Sequence, residues 1–165
     1  MSPVLEFLAP AIAVAGLLYS LVFWSHVQAA PSGTPAMQKV ASAILTGANA
    51  FVSRQYKTIA LLALVVAALM TALYGVSGTA EGWTKGIEVG GSFLLGSILS
   101  GVAGIVSMVV ATRANLKTAG AASKGLNAAL RMALRGGTVS ALVITALSLL
   151  GISGLYLLYL SLIHI

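Results

Sequence analysis

The stretches IALLALVVAALMTALYGV at 59–76 and IEVGGSFLLGSILSGVAGIVSMVVAT at 87–112 decide the fold. Wound as helices, both can cross a hydrocarbon core of about 30 Å, which takes about 20 residues. Stretches of the same kind run at about 5–27 and 138–160. The expected fold class is an all-α membrane protein: four transmembrane helices with cytoplasmic helical extensions, part of a larger helical bundle, in a single membrane domain over residues 1–165. The first stretch reads as a retained span, because no basic residue precedes it and its apolar run is too long for a cleaved leader.

Composition agrees with a bilayer as solvent. Hydrophobic residues make up 59% of the chain and charged residues 7%, with a mean hydropathy of +1.02, whereas a soluble domain carries roughly 25% charged residues. Cysteine is absent, which removes disulfides and thiolate metal sites. Nine Lys and Arg face three carboxylates, for a formal charge of +6. These basic residues lie between or beside apolar spans, so the anionic partner they fit is the lipid headgroup layer and not nucleic acid.

Their distribution orients the chain. Lys39, Arg54 and Lys57 fall in the connection 28–58, and Arg113, Lys117, Lys124, Arg131 and Arg135 fall in or at the edge of the connection 113–137. The turn around Ser77 to Gly86 has only Lys85, offset by Glu81. The positive-inside rule then makes the first and third connections cytoplasmic and directs both chain ends outward.

Both connections carry helical signals. Pro31, Ser32 and Gly33 break the chain, Thr34 is suited to cap, and Pro35 fits a first helical position. Met37, Val40, Ala41, Ile44, Ala48, Phe51 and Val52 then recur at helical spacing, with Gln38, Lys39, Ser42, Thr46, Asn49 and Ser53 on the other face. One long helix is expected from about Pro35 to Leu73. Wound as a single helix, the segment after the third span gathers Arg113, Lys117, Lys124, Arg131 and Arg135 into one stripe, although Gly120 and Gly125 weigh against an unbroken helix. That stripe reads either as a solvated, headgroup-facing surface or as a guide for an anionic substrate. Small residues four apart, Gly86 and Gly90, Ser97 and Gly101, Ser100 and Gly104, Gly136 and Ser140, are the spacing that lets membrane helices pack closely.

Chemistry is sparse. Hydrolysis of a phosphoanhydride needs clustered hard oxygen ligands, and this sequence has no Asp and only Glu6, Glu81 and Glu88, all expected on the outer side. His26 ends the first span beside Trp24, a position suited to the interface, and His164 lies in the terminal tail. No P-loop and no Ser, His and Asp set is present. No catalytic, cofactor-binding or metal-ligating residue is assigned.

Two ordered blocks carry a family resemblance. Gly33 to Met37 with Gly47 to Ile59, and Ala111 to Thr118 followed by Ala121–Ala122, Lys124 to Leu126, Ala129–Leu130 and Arg135 to Gly137, closely resemble the corresponding regions of membrane-integral pyrophosphatases, over nearly the whole chain up to about Tyr159. The resemblance implies homodimers that couple Mg²⁺-dependent hydrolysis of cytoplasmic pyrophosphate to outward pumping of H⁺ or Na⁺, some with K⁺ dependence, in a prokaryotic cell membrane. It implies Asp-rich substrate motifs starting on the next helix, an inner ring holding the gate, and an outer-ring place for these four helices. Those motifs are missing here, so the fragment alone is expected to be inactive, and residues 161–165 resemble a sequencing-adapter scar. Two other classes fit the composition: a rotor-type proteolipid, which needs a mid-membrane carboxylate absent from the second and fourth spans, and a noncatalytic small membrane scaffold.

Overall fold

The computed structural model describes residues 3–76 and 81–163, with side chains described over 7–76 and 81–159. The expectations for Glu6, His164, the terminal tail and most of the turn after Val76 fall outside the described residues or side chains. Four helices account for nearly all of it: α1 (Pro3–Ala29), α2 (Pro35–Gly75), α3 (Gly82–Ala122) and α4 (Leu126–Ile163). All four contain a stretch long and apolar enough to cross a membrane.

The second helix begins as its sequence requires. The Thr34 hydroxyl accepts from the Met37 N–H at 3.3 Å, and Pro35 occupies the first turn. From there α2 runs unbroken for 41 residues, as does α3, which makes each about 60 Å long, roughly twice a hydrocarbon core. The segment after the third span departs from a single helix. Its chain reverses at Ser123–Gly125, where Gly125 adopts φ +118°, a conformation that side chains disfavour. The five cations therefore do not share one helical stripe: Arg113 and Lys117 stand on α3, Lys124 in the turn, Arg131 and Arg135 on α4.

The helices form an antiparallel row in the order α2, α3, α4, α1. Helices α1 and α2, consecutive in sequence, make no contact. Close approach is set by glycines: a Cβ at Gly86 or Gly90 would collide with Thr71 of α2, one at Gly136 with Ala114 of α3, and one at Gly151 would lie 2.7 Å from Leu99. Of the small-residue pairs expected from the sequence, Gly86 with Gly90 and the Gly101 and Gly104 positions are thus interface residues on α3, the latter two lying under the Tyr56 ring of α2.

Buried side chains are few and small. Val110, Val139 and Val143 form one cluster between α3 and α4, and Val27, Ala114 and Met132 form another at the end where α1 joins them. Leu61, Leu73 and Ile98 remain 63%, 70% and 61% exposed. Leaving each such side chain in water forgoes about 1.5–3 kcal/mol, so the apolar rim requires lipid or further protein around it.

The spans are not level with one another. Val27, Ala114 and Met132 share a cluster, so the basic ends of the apolar stretches in α1, α3 and α4 coincide. Helix α2 is displaced along the row's axis. Ala67, near the middle of its apolar stretch, packs on Gly90, about ten residues or roughly 15 Å from the middle of the α3 stretch. Tyr56 consequently lies beside Gly101 and Gly104, and the exposed Arg54 and Lys57 sit at a depth where α3 is apolar.

Candidate functional site: the basic end of the helix row

The end of α1, the linker 30–34, the end of α3 and the start of α4 converge on one end of the row, with Arg113, Lys117, Lys124, Arg131 and Arg135 among them. The sequence pattern had these five as one surface. The structure divides them by what they touch.

Lys117 is committed to holding the chain. Its Nζ donates to the Ala30 carbonyl, to the Gln28 carbonyl at 3.3 Å and to Ser32 Oγ at 2.9 Å. The last carbonyls of a helix lack partners within it and carry the negative end of the helix dipole, so the ammonium caps α1 and fastens the linker to α3. One turn on, Gly120 lets the linker cross: a Cβ there would stand 2.9 Å from the Gly33 nitrogen and 3.3 Å from the Pro31 carbonyl oxygen. Gly33 itself adopts φ +71°, the left-handed region where a side chain is strained. Arg113 lies over the Trp24 ring at 5.7 Å from its centroid, within cation–π range. These contacts carry the chain from α1 across α3 to α2.

Lys124, Arg131 and Arg135 are the remaining cations here. They line a cavity of about 290 Å³ whose apolar wall includes Ala30, Pro31 and Met132. A separate cavity of about 420 Å³ between α3 and α4 is lined by Gly96, Ser100, Gly104, Ile144 and Gly151 among others, where the spacing of Ser100 and Gly104 had pointed only to close helix packing.

The described carboxylates stand at the opposite end. Glu81 pairs with Lys85 at 3.1 Å in an exposed bridge, and Glu88 is half-buried. The Glu88 carbonyl accepts from Tyr159 Oη at 2.7 Å, and Tyr159 also meets Ser92 Oγ, tying α4 to α3. Nothing in the sequence pattern signalled that link, since its partners are 67 and 71 residues apart. His26 is exposed and its Nδ1 donates to the Val22 carbonyl at 2.6 Å, a contact within its own helix.

Among the described residues no three His, Cys, Asp or Glu side chains come together. Mg²⁺ in a phosphate-processing site requires carboxylate or other hard oxygen ligands, so these residues do not fit that ion and no hydrolytic step is assigned to them.

Comparison with known proteins identifies relatives of the whole row. The family model described as inorganic H⁺ pyrophosphatase matches residues 14–164. The chain is 42% identical over 147 residues to a K⁺-insensitive pyrophosphate-energized proton pump of Moorella thermoacetica, covering 89% of this chain and 20% of that one. It is 36% identical over 155 residues to a protein of the same description from Methanosarcina mazei, covering 94% and 22%. A putative K⁺-stimulated pyrophosphate-energized sodium pump of Bacteroides thetaiotaomicron is 35% identical over 159 residues, covering 96% and 21%. The chain thus spans about a fifth of the length of the curated relatives it matches.

Proposed function

Because this chain belongs to the inorganic H⁺ pyrophosphatase family, an integral membrane family of ion-translocating pyrophosphatases, we propose that it forms the N-terminal, outer-ring helix row of a pump that couples pyrophosphate hydrolysis to ion movement. The observation that carries this reading is the match over residues 14–164, which takes in α1 from Val14 onward, the other three helices and both basic connections. The pumped ion is H⁺ or Na⁺, since relatives of both descriptions match this same segment.

In this reading the basic end of the row faces the cytoplasm and both chain ends face outward. The first 10 or so residues of α2, which run beside α3 beyond Thr112, and the adjoining ends of α3 and α4 then form the cytoplasmic helical extensions. The complete subunit supplies the remaining helices, the Mg²⁺ and pyrophosphate ligands and the homodimer contacts, with K⁺ a cofactor of some members, while the four helices alone are inactive. Tyr56 serves assembly, which its packing on Gly101 and Gly104 supports.

The axial displacement of α2 favours enclosure by more protein. A charge at mid-bilayer costs about 2.5–3.5 kcal/mol on insertion scales, and Arg54 and Lys57 lie level with the apolar middle of α3. That stretch of α2 is stable at such depth where other helices or a water-filled vestibule cover it.

A chimera tests the proposal. Residues 1–159 of this chain replace the matching segment of the Moorella thermoacetica pump, and pyrophosphate-dependent ion uptake is measured in vesicles. Retained hydrolysis and uptake are expected. A chimera that assembles as the parent does, yet neither hydrolyses nor transports, would refute the assignment.

A further inference from the structure

The cavity bounded by Lys124, Arg131 and Arg135 has the features of an anion site. Arg131 and Arg135 are one helical turn apart on α4, so their guanidinium groups reach the same space as the ammonium of Lys124. Arg113 and Lys117 are engaged elsewhere, by the Trp24 ring and by the α1 terminus. No described carboxylate neutralises these three, because Glu81 and Glu88 stand at the other end of the row. Guanidinium groups prefer planar, paired hydrogen bonding to phosphate oxygens.

Depth and lining decide which phosphate. The cavity adjoins the Val27, Ala114 and Met132 cluster, the level at which the apolar stretches of three helices end. That is the headgroup level of a bilayer. Its remaining wall, Ala30, Pro31, Ala121, Ala128 and Met132, is apolar, which suits the glycerol and acyl-ester region of a lipid and offers a water-soluble anion nothing. A free diphosphate also travels with Mg²⁺, and the cavity has no carboxylate to hold that ion.

We propose that Lys124, Arg131 and Arg135 form a specific binding site for the phosphate headgroup of an anionic phospholipid. The site recruits a lipid against the turn between α3 and α4, beside the point where the linker crosses. This assignment is independent of the pumping reading, and it needs only the four helices in a bilayer.

Trp24 is a built-in reporter, since it packs against the cluster containing Met132, which also lines the cavity. The full chain carrying Trp83→Phe is placed in nanodiscs of phosphatidylcholine doped with bromine-labelled phosphatidylglycerol, or with the same fraction of bromine-labelled phosphatidylcholine. Quenching of Trp24 is expected to saturate at a lower fraction of the anionic lipid. Each cation near an anionic surface contributes about five-fold in association, so Arg131→Gln with Arg135→Gln should weaken the preference about 30-fold. Arg131→Lys with Arg135→Lys should keep most of it, which separates loss of charge from loss of fold. Equal quenching by both lipids in the unsubstituted site would overturn the proposal. So would an equal loss from Lys39→Gln with Lys57→Gln, which would assign the preference to diffuse surface charge. Displacement of the anionic lipid by millimolar pyrophosphate would identify a free anion as the ligand and overturn the lipid assignment.

Discussion

Replacing Lys117 by Met keeps the length and apolar stem of the side chain and removes its charge and donors. The ammonium serves the Gln28 and Ala30 carbonyls and Ser32 Oγ. Hydrogen bonds to a charged group are each worth about 1.5–3 kcal/mol when buried, with a further 0.3–1 kcal/mol for a cation at a helix C-terminus. The Gln28 contact is exposed and the Ala30 contact half-buried, so water recovers part of that sum, leaving a net loss of about 2–3 kcal/mol. The loss concentrates in the linker, because Gly33 and Gly120 permit its close passage but supply no side chain to hold it. Amide hydrogen exchange in nanodiscs measures this directly. If local opening governs the segment, exchange at the hydrogen-bonded amides of Gln28, Ala29 and Ala30 should accelerate about 30- to 150-fold, with 95–112 unchanged, since each 1.4 kcal/mol is about ten-fold. Acceleration of less than about three-fold at those three amides would show that this end of α1 is held by packing alone and refute the strap.

Other substitutions separate tight contacts from open ones. Gly136→Ala should cost about 1–3 kcal/mol by forcing α4 from Ala114, read as a lower midpoint in detergent unfolding. Gly47→Ala, with nothing within 4 Å of the new methyl, should instead stabilise by about 0.4–1 kcal/mol in the same assay. Tyr159→Phe removes the α4-to-α3 hydrogen bond at Glu88 and should cost about 1 kcal/mol, with faster exchange confined to the N-terminal end of α3. Glu81→Gln breaks an exposed bridge and should change stability by less than about 0.5 kcal/mol, and a larger fall in the unfolding midpoint would reveal a role beyond that bridge.

Hydropathy and local spacing are properties of neighbouring residues, and they made the four helices, the Thr34 and Pro35 start of α2 and the small-residue contacts at Gly86, Gly90 and Gly136 legible in advance. The five basic residues of the candidate site were also legible as a group, but their roles were not. Gly120 and Gly125 had weighed against an unbroken helix there, but a helical-wheel projection cannot anticipate that Lys117 meets carbonyls 87 and 89 residues earlier in the chain. The link from Tyr159 to Glu88 escaped for the same reason.

What the sequence by itself determined is the solvent and the units: apolar runs of bilayer length must be helices in lipid, because an unpaired backbone in hydrocarbon costs several kcal/mol per group. Only the tertiary structure decided that α1 lies beside α4 instead of α2, that α2 is shifted along the row, and that Lys117 serves as a strap while Lys124, Arg131 and Arg135 share a cavity. Those choices depend on which helix faces fit together across large separations in the chain, a matter of shape and packing that no local window of residues contains.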